Sequence, residues 1–528
     1  MPDPQPWHSD LPAIDDPAVP VPEFLFEGAS RFGDKPALVD GPTGRTLSYR
    51  QLAEGVERVA AGLAARGFGN GDVLALSSPN LPEYAVAMYG AMAAGGAVTG
   101  ANPLLTAGEL ATQLADAGAS VLVTVPPFLE TARAAADKAG VGEVLVFGEA
   151  DGATPFASLL TEGGTPPRVR IDPASDLAAL PYSSGTTGLP KGVLLSHKVF
   201  LSNNIQFMSA IRATDADTFM VFLPFYHIYG LMLMGGAVHG GTRMVVMERF
   251  DMAESLRLIV EKRVSIVFVV PPILLALANK PDIGKVDFSS VKMFMVGAAP
   301  VAPELARRVT ELTGVRVVQG YGLTEAGPVT HLNPVHDDEF LTIDTGGLPV
   351  NDTDQKIVDL ETGERELPVG EVGEIIVRGP QVMLGYWNAP ESTAAALRGG
   401  WLYTGDIGRL DDQGYLTITD RKKEMIKYKG FGIAPAEIEA LLFEHPGVAD
   451  CAVIGKPDPE AGEVPKAFVV RKDPALTAET LLDWARGRLA GYKTLHEVAL
   501  VDAIPKTASG KILRRVLKDE ERKRLGLA

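Results

Sequence analysis

Apolar residues recur along this chain with two different periods. Between Gln51 and Ala65 they fall at Leu52, Val56, Val59, Ala60 and Leu63, the spacing of one helix face. Asp72-Val73-Leu74-Ala75-Leu76 and Ser120-Val121-Leu122-Val123-Thr124 are instead apolar runs of strand length. Such strands and Ala-rich helices alternate from about residue 23 to 175, which predicts parallel α/β layers. A second α/β run extends to about residue 335, with strands expected at Phe219 to Leu223, Val264 to Val270 and Met293 to Val296. Residues 340–420 change character. Short alternating segments such as Gly373-Glu374-Ile375-Ile376-Val377-Arg378, separated by Gly and Pro, predict a small β-rich unit. The connector Asp420-Arg421-Lys422-Lys423-Glu424 is charged and biased to basic, as expected of a joint beside an anionic ligand or of a plain solvated loop. Mixed strands and helices follow to the end. Residues 1–22, rich in Pro and Asp, predict an irregular arm.

The chain has 528 residues, too many for one core, so two to four units are expected at roughly 100–200 residues each. A net charge of −17 argues against a general nucleic-acid binder but leaves room for an anion at one basic spot. The single cysteine, Cys451, excludes an intrachain disulfide and a Cys-rich zinc site. It lies in Val448-Ala449-Asp450-Cys451-Ala452-Val453-Ile454, which predicts a buried strand and a packed thiol. Met1 to Asp16 show no basic patch followed by an apolar block, and Gly526-Leu527-Ala528 is not the Ser-Lys-Leu address, so a cytoplasmic location is expected. Two uncharged stretches, Tyr84 to Gly108 and Thr218 to Thr242, have the length of a membrane span. Pro103, Pro224, His227 and many glycines interrupt them, so buried core segments are expected instead and no transmembrane segment.

The densest chemistry is Tyr182-Ser183-Ser184-Gly185-Thr186-Thr187-Gly188-Leu189-Pro190-Lys191-Gly192, directly after the apolar run Leu177 to Leu180. Glycines let a backbone approach phosphate oxygens, hydroxyls and free N–H groups donate to them, and the lysine supplies charge. It is not a Walker loop: Lys191 is followed by Gly192, and Pro190 stands where a helix would run. By composition alone it is a polyphosphate loop or a Ser/Gly/Thr turn between strands.

Four further segments join it: Gln319-Gly320-Tyr321-Gly322-Leu323-Thr324-Glu325; Tyr403-Thr404-Gly405-Asp406; Asp420-Arg421 with Lys427-Tyr428-Lys429-Gly430; and Pro505-Lys506-Thr507-Ala508-Ser509-Gly510-Lys511. In this order and spacing they resemble the adenylate-forming superfamily of acyl-CoA synthetases, beetle luciferases and peptide-synthetase adenylation domains. The resemblance covers nearly the whole chain. It is closest to 4-coumarate–CoA ligase-like enzymes, through Phe225-Tyr226-His227-Ile228-Tyr229, Thr324-Glu325-Ala326-Gly327-Pro328-Val329 and Lys427-Tyr428-Lys429-Gly430-Phe431.

The resemblance implies an α/β and α+β fold. A large N-terminal adenylation domain, residues 1–420, would hold two layered subdomains and the β-rich one; a smaller mobile C-terminal domain, residues 421–528, would turn on a hinge near Lys423. It implies an ATP-dependent acid–thiol ligase using Mg²⁺ and coenzyme A. A carboxylate attacks the α-phosphate of ATP, giving an acyl-adenylate, and a thiol then displaces AMP. Both first reactants are anionic, so cations must offset their repulsion. The resemblance assigns Lys511 to bridge them. Ser183, Ser184, Gly185, Thr186, Thr187, Gly188 and Lys191 would cradle the outer phosphates, with Glu325 and Thr187 on the metal and Thr324 at the α-phosphate. Asp406 and Arg421 would take the ribose, and Gly297, Ala298, Ala299, Gln319, Gly320, Tyr321 and Gly322 the adenine side. Lys427 is implied as a second catalytic lysine that faces the site after rotation, when Lys429, Gly430 and Phe431 would form the pantetheine tunnel. His227 is either a packed core histidine or, in family register, a gate of the acyl pocket or a thiol-side contact.

The acyl pocket would be lined by Tyr229, Leu233, Gly322, Pro328 and Val329. Coumarate ligases usually supply a polar residue near Leu233. Apart from Glu325 no acid marks these segments, which argues against an α-amino acid, whose ammonium would want a carboxylate. An apolar aryl (cinnamate- or coumarate-like) or medium-chain fatty acid is expected, with breadth, since apolar pockets discriminate by only ~1–3 kcal/mol per methylene. Two other positions depart from the family: Gly432 stands where a glutamine is usual, and Lys422 where an apolar residue is usual. Loading of an acyl carrier protein instead of CoA is the alternative, because both present the same thiol. A luciferase-type oxygenase is disfavoured. A non-catalytic relative would be expected to lack Lys511 or Glu325, and both are present.

Overall fold

The structure, a computed structural model, describes residues 7–15, 18–162, 164–183, 190–335, 345–428, 431–458, 461–486, 488–489, 493–507 and 510–526. Among them the strands form two nine-stranded sheets, one six-stranded and one five-stranded. The helix expected at Gln51 to Ala65 is Tyr49–Ala65, started by a capping box in which Ser48 accepts from the Gln51 N–H. Its buried face is Leu52, Val56, Val59, Ala60 and Leu63.

One nine-stranded sheet centres on the parallel strands Val73–Ser77, Ala97–Gly100, Ala119–Thr124 and Glu143–Val146. Its edge is built by Leu177–Ala179, Lys191–Ser196 and Tyr182–Ser183, so the glycine-rich segment leaves and re-enters this sheet. The other centres on Thr218–Val221, Arg243–Val246, Ile266–Val269, Met293–Val296 and Arg316–Gly322. The chain does not fill these sheets in sequence order. Pro36–Asp40, expected within the first α/β run, pairs in parallel with Arg243–Val246 of the second. Apolar strands such as these carry no signal of which neighbour they will take.

The β-rich unit is the six-stranded sheet, whose main strands are Asp354–Val358, Gly373–Arg378, Trp401–Leu410 and Leu416–Arg421. The arm is less irregular than its composition predicts. Trp7–His8 pairs with Gln355 and Asp354, and the Trp7 ring packs on Gly414, where a Cβ would lie 2.6 Å from it. One large aromatic ring is enough to anchor a short strand.

The longest uncharged stretches are core elements. Pro82–Ala93 and Ile228–Gly240 are helices buried nearly all round, and no helix among the described residues is long and apolar enough to cross a membrane. Beyond the connector the chain has its own core, gathering Ile426, Ile433, Ile438, Leu442, Val453, Val469 and Leu481 around the five-stranded sheet. Cys451 is buried there on Val448–Asp458, and burial pushes its thiol up, as expected of a packing residue.

Candidate active site

The residues expected on the nucleotide side are assembled by cross-strand register. Asp406 and Arg421 lie directly opposite each other on antiparallel strands, and the Arg421 Nε stands 3.3 Å from Asp406 Oδ1. Tyr321, near the end of Arg316–Gly322, donates its hydroxyl to Asp406 Oδ2 at 2.6 Å. Burial raises the Asp406 carboxyl, while Arg421, Tyr321 and Lys511 pull it down. The Tyr321 phenol is pushed far up, by burial first and Asp406 second, so it stays a donor. The turn before Asp406 is held from behind: the Gly405 N–H donates to Glu374 Oε1 at 3.2 Å, and Lys422 donates to Glu374 Oε2 at 2.6 Å. Lys422, anomalous in the sequence, thus pairs with a nearly buried glutamate.

Beside this pair the backbone comes close. Gly297 is buried against Tyr229, where a Cβ would lie 3.0 Å from the ring, and Ala298 holds a positive φ of 72°. Ala299 is half-buried. Gly322 abuts Pro328, whose carbonyl oxygen a Cβ would meet at 2.1 Å, and at Gly320 a Cβ would meet Leu332 and Met295 at 3.0 Å. Gln319 serves the backbone instead of facing the site. Its Oε1 accepts from the Val301 N–H at 2.7 Å and its Nε2 donates to the Thr345 carbonyl at 2.9 Å. The amide thereby braces the loop around Ala298.

Ser183 and Lys191, expected at the phosphates, face each other across a two-strand ladder. Ser184, Gly185, Thr186, Thr187 and Gly188 lie outside the described residues, as do Lys429, Gly430 and the Phe431 side chain. Ser183 donates to Glu325 Oε1 at 3.0 Å. Glu325 sits with Thr324 in the short 3₁₀ turn Thr324–Ala326. The sequence reading missed Tyr386 and Ser392. The Tyr386 hydroxyl donates to the same Glu325 Oε1 at 2.8 Å, and Lys191 Nζ donates to Ser392 Oγ at 2.8 Å. Neither belongs to a recognisable motif; only their place after Gly385 in a turn-rich stretch was visible.

The lysine expected at the reacting carboxylate comes from beyond the connector. Lys511 follows Gly510, which takes φ 80° and packs on Pro272, and its N–H rests on Thr507 Oγ1 at 3.1 Å. Its amine is pushed down to about 8, by burial first and Arg421 second, while Asp406, Glu424 and Glu325 push it back up. Lys511 therefore shares one electrostatic environment with Arg421, Asp406, Glu424 and Glu325. His227 caps Ile228–Gly240, its Nδ1 accepting from the Tyr229 N–H at 3.3 Å. Burial, and then Lys511, hold its imidazole at about 4, so it is neutral. The turn carrying Lys511 is itself clamped: Arg514 donates to Glu424, to Glu439 Oε2 at 2.6 Å and to the Val453 carbonyl at 3.2 Å.

The expected acyl wall is apolar. Leu233 is fully buried, Pro328 and Val329 are buried, and among the described residues the Tyr229 hydroxyl reaches only the Met295 carbonyl, at 3.5 Å. Asn203, also missed, fixes this wall by donating to the Val329 carbonyl and accepting the Val329 N–H, at 2.7 and 3.0 Å. Lys427 and Lys423 are exposed; the Lys427 N–H bonds Glu463 on the C-terminal sheet, so its side chain is not gathered with the others.

A metal here would lean on one carboxylate. No cluster of three or more His, Cys, Asp or Glu suited to a metal occurs among the described residues. Glu325 Oε1 carries two donors, while no hydrogen bond among the described residues reaches Oε2. One free carboxylate oxygen suits Mg²⁺, which commonly takes one or two carboxylates and completes its shell with phosphates and water.

Residues 25–387 match the family model described as AMP-binding enzyme, and residues 437–511 that of the AMP-binding enzyme C-terminal domain. The chain is 41% identical to 4-coumarate–CoA ligase 5 of Oryza sativa subsp. japonica, over 97% of this chain and 96% of that one. It is 41% identical to 4-coumarate–CoA ligase of Pinus taeda, over 97% of both. Among solved structures, ATP-bound MatB from Rhodopseudomonas palustris superposes with a TM-score of 0.87 at 32% identity, covering 95% of this chain and 99% of that one. The o-succinylbenzoate CoA synthetase MenE from Bacillus subtilis, in complex with its acyl-adenylate intermediate, gives 0.82 at 28%, covering 95% and 98%.

Proposed function

The chain belongs to the AMP-binding enzyme family, and from that premise we propose that it is an ATP-dependent carboxylic acid–CoA ligase of the 4-coumarate–CoA ligase type. The observation that carries this reading is the placement of Lys511. A half-buried lysine from the C-terminal part shares its electrostatic surroundings with Arg421, Asp406, Glu325 and His227.

In the first half-reaction Asp406 accepts the ribose hydroxyls, with Arg421 and Tyr321 fixing its carboxylate. Lys511 lies between the acid's carboxylate and the α-phosphate and offsets their repulsion as the carboxyl oxygen attacks phosphorus and pyrophosphate leaves. Lys191 and Ser183 serve the outer phosphates. Glu325 would hold Mg²⁺, which when bound would supply further charge neutralisation there. His227, being neutral and already spending Nδ1 on its helix, lines the acyl entrance as a polar but uncharged wall.

The second half-reaction needs Lys511 out of the way of the thiol. We assign that change to rotation of residues 421–528 against residues 1–420 about Lys423, a movement of the hinge kind. It would exchange the Lys511 turn for Lys427 and the segment through Phe431. The buried apolar wall at Leu233 favours an unsubstituted aryl or medium-chain acid over a phenolic one. Cytoplasmic action goes with the single, buried thiol.

The test is pyrophosphate release with ATP and Mg²⁺ across a panel of cinnamic, coumaric, medium-chain fatty and amino acids, with mass spectrometry of the products. Release with apolar acids and an acyl-CoA product is expected. Silence with every acid sinks the reading, and acylation of a holo-carrier protein but not of CoA replaces the acceptor.

A further inference from the structure

Glu325 and Lys191 stand on different elements, yet one residue touches both. Tyr386 donates its hydroxyl to Glu325 Oε1 at 2.8 Å, and the Lys191 ammonium lies 5.3 Å from the centre of its ring. Ser183 bonds the same Oε1. An ionised carboxylate has about four acceptor positions on two oxygens. Placing both donors on Oε1 turns Oε2 toward whatever ligand arrives.

Tyr386 is itself held firmly. It pairs with Val193, immediately after the Lys191 strand begins, and its N–H donates to Thr393 Oγ1 at 2.9 Å. The flanking N–H groups of Leu384 and Trp387 donate to the carbonyls of Leu194 and Gly192, at 3.0 and 2.9 Å. The Met383 N–H donates to the Glu325 carbonyl at 2.9 Å. The segment thus binds the Glu325 turn by main chain and by side chain, and the Lys191 strand by main chain and by ring. A tyrosine needed only for packing would not require its hydroxyl on Glu325 or its ring face beneath an ammonium.

We propose that Tyr386 is a positioning residue for the triphosphate: its hydroxyl orients Glu325 for the divalent cation, and its ring orients Lys191 for the outer phosphate. This rests on the nucleotide reading of the site but not on which acid is activated. The two parts of the side chain separate by substitution. Tyr386→Phe keeps the ring and removes the hydroxyl; Tyr386→Leu removes both.

The probe is the non-cleavable analogue α,β-methylene-ATP, titrated by calorimetry into the full chain with and without MgCl₂. In the unsubstituted protein Mg²⁺ should tighten binding. Tyr386→Phe should shrink that Mg²⁺-dependent gain about tenfold, the worth of a hydrogen bond to a charged group, and leave metal-free affinity unchanged. Tyr386→Leu should lower metal-free affinity as well. Thioester formation from supplied acyl-adenylate should be unaltered in Tyr386→Phe, since that step has no triphosphate, which separates the role from general damage. A Mg²⁺ gain that survives in Tyr386→Phe, equal losses with and without the metal, or no Mg²⁺ gain in the unsubstituted protein each overturns the proposal. Because calorimetry needs no turnover, silence across the acid panel would remove the ligase reading and leave this result to be judged by itself.

Discussion

Lys511 offers a test whose sign is set by the structure. Its amine is ordinarily near 10.5 and is held at about 8, chiefly by burial and then by Arg421. With that value about nine molecules in ten carry the ammonium at pH 7 and about one in ten at pH 9. Only the ammonium can offset two anions. The kcat/KM of ATP–pyrophosphate exchange should therefore be level up to about pH 7 and fall roughly tenfold per pH unit well above 8. The limb in kcat should lie higher, because bound carboxylate and phosphate restore the amine's affinity for its proton. Thioester formation from supplied acyl-adenylate should run the opposite way, rising with pH as the thiol ionises, near a pKa of about 8.5. Stability follows with its own sign. The folded amine is weaker than the unfolded one, so between about pH 8 and 10.5 the unfolded chain binds more protons and stability rises with pH. The span is at most about 3 kcal/mol, so Lys511→Ala should melt somewhat higher than the parent at pH 7 without ligands. The same variant should lose roughly 10²–10³-fold in exchange and keep the second half-reaction. A level exchange profile through pH 9.5, or equal losses in both half-reactions, would refute the assignment.

Asp406→Asn removes the charge and one of the two acceptor oxygens that Tyr321 and Arg421 share between them, and the KM for ATP in the exchange assay should rise by roughly ten- to a hundredfold, the worth of a hydrogen bond to a charged group. Arg514→Met leaves Glu424 and Glu439 buried without their partner; thermal unfolding should show a loss of about 3–5 kcal/mol, with the exchange reaction falling more than nucleotide binding. Gly297→Ala places a methyl 3.0 Å from the Tyr229 ring, and the ratio of kcat/KM for cinnamic over short aliphatic acids should drop by about tenfold.

What could be read in advance was local. The Tyr49–Ala65 helix and the Met293–Val296 strand follow from side-chain period, and the motif residues carry their family register with them. What could not be read depends on contacts between distant segments. Pro36–Asp40 looks like a strand of its own region, yet it lies beside Arg243–Val246, because an apolar strand is equally content in either sheet. Gln319 sits inside a nucleotide motif but braces the Ala298 loop, a role that only the positions of Val301 and Thr345 reveal. Tyr386 acquires its function from pairing with Val193.

Lys511 shows the same division at the point that matters most. In sequence it is one lysine in a charged tail, where solvation is the ordinary state. In the structure Gly510 takes a backbone angle open chiefly to glycine and lies against Pro272, and Arg514 anchors the far side of the turn to Glu424 and Glu439. Burial then makes the ammonium costly, a cost that Asp406, Glu424 and Glu325 offset only in part and that an anionic ligand would offset further. The lysine's depressed affinity for its proton and its suitability for two converging anions thus have one cause. On the proposed rotation, withdrawing the turn to admit a thiol would relieve that desolvation once pyrophosphate has gone, so completion of the first step would favour the rearrangement required by the second.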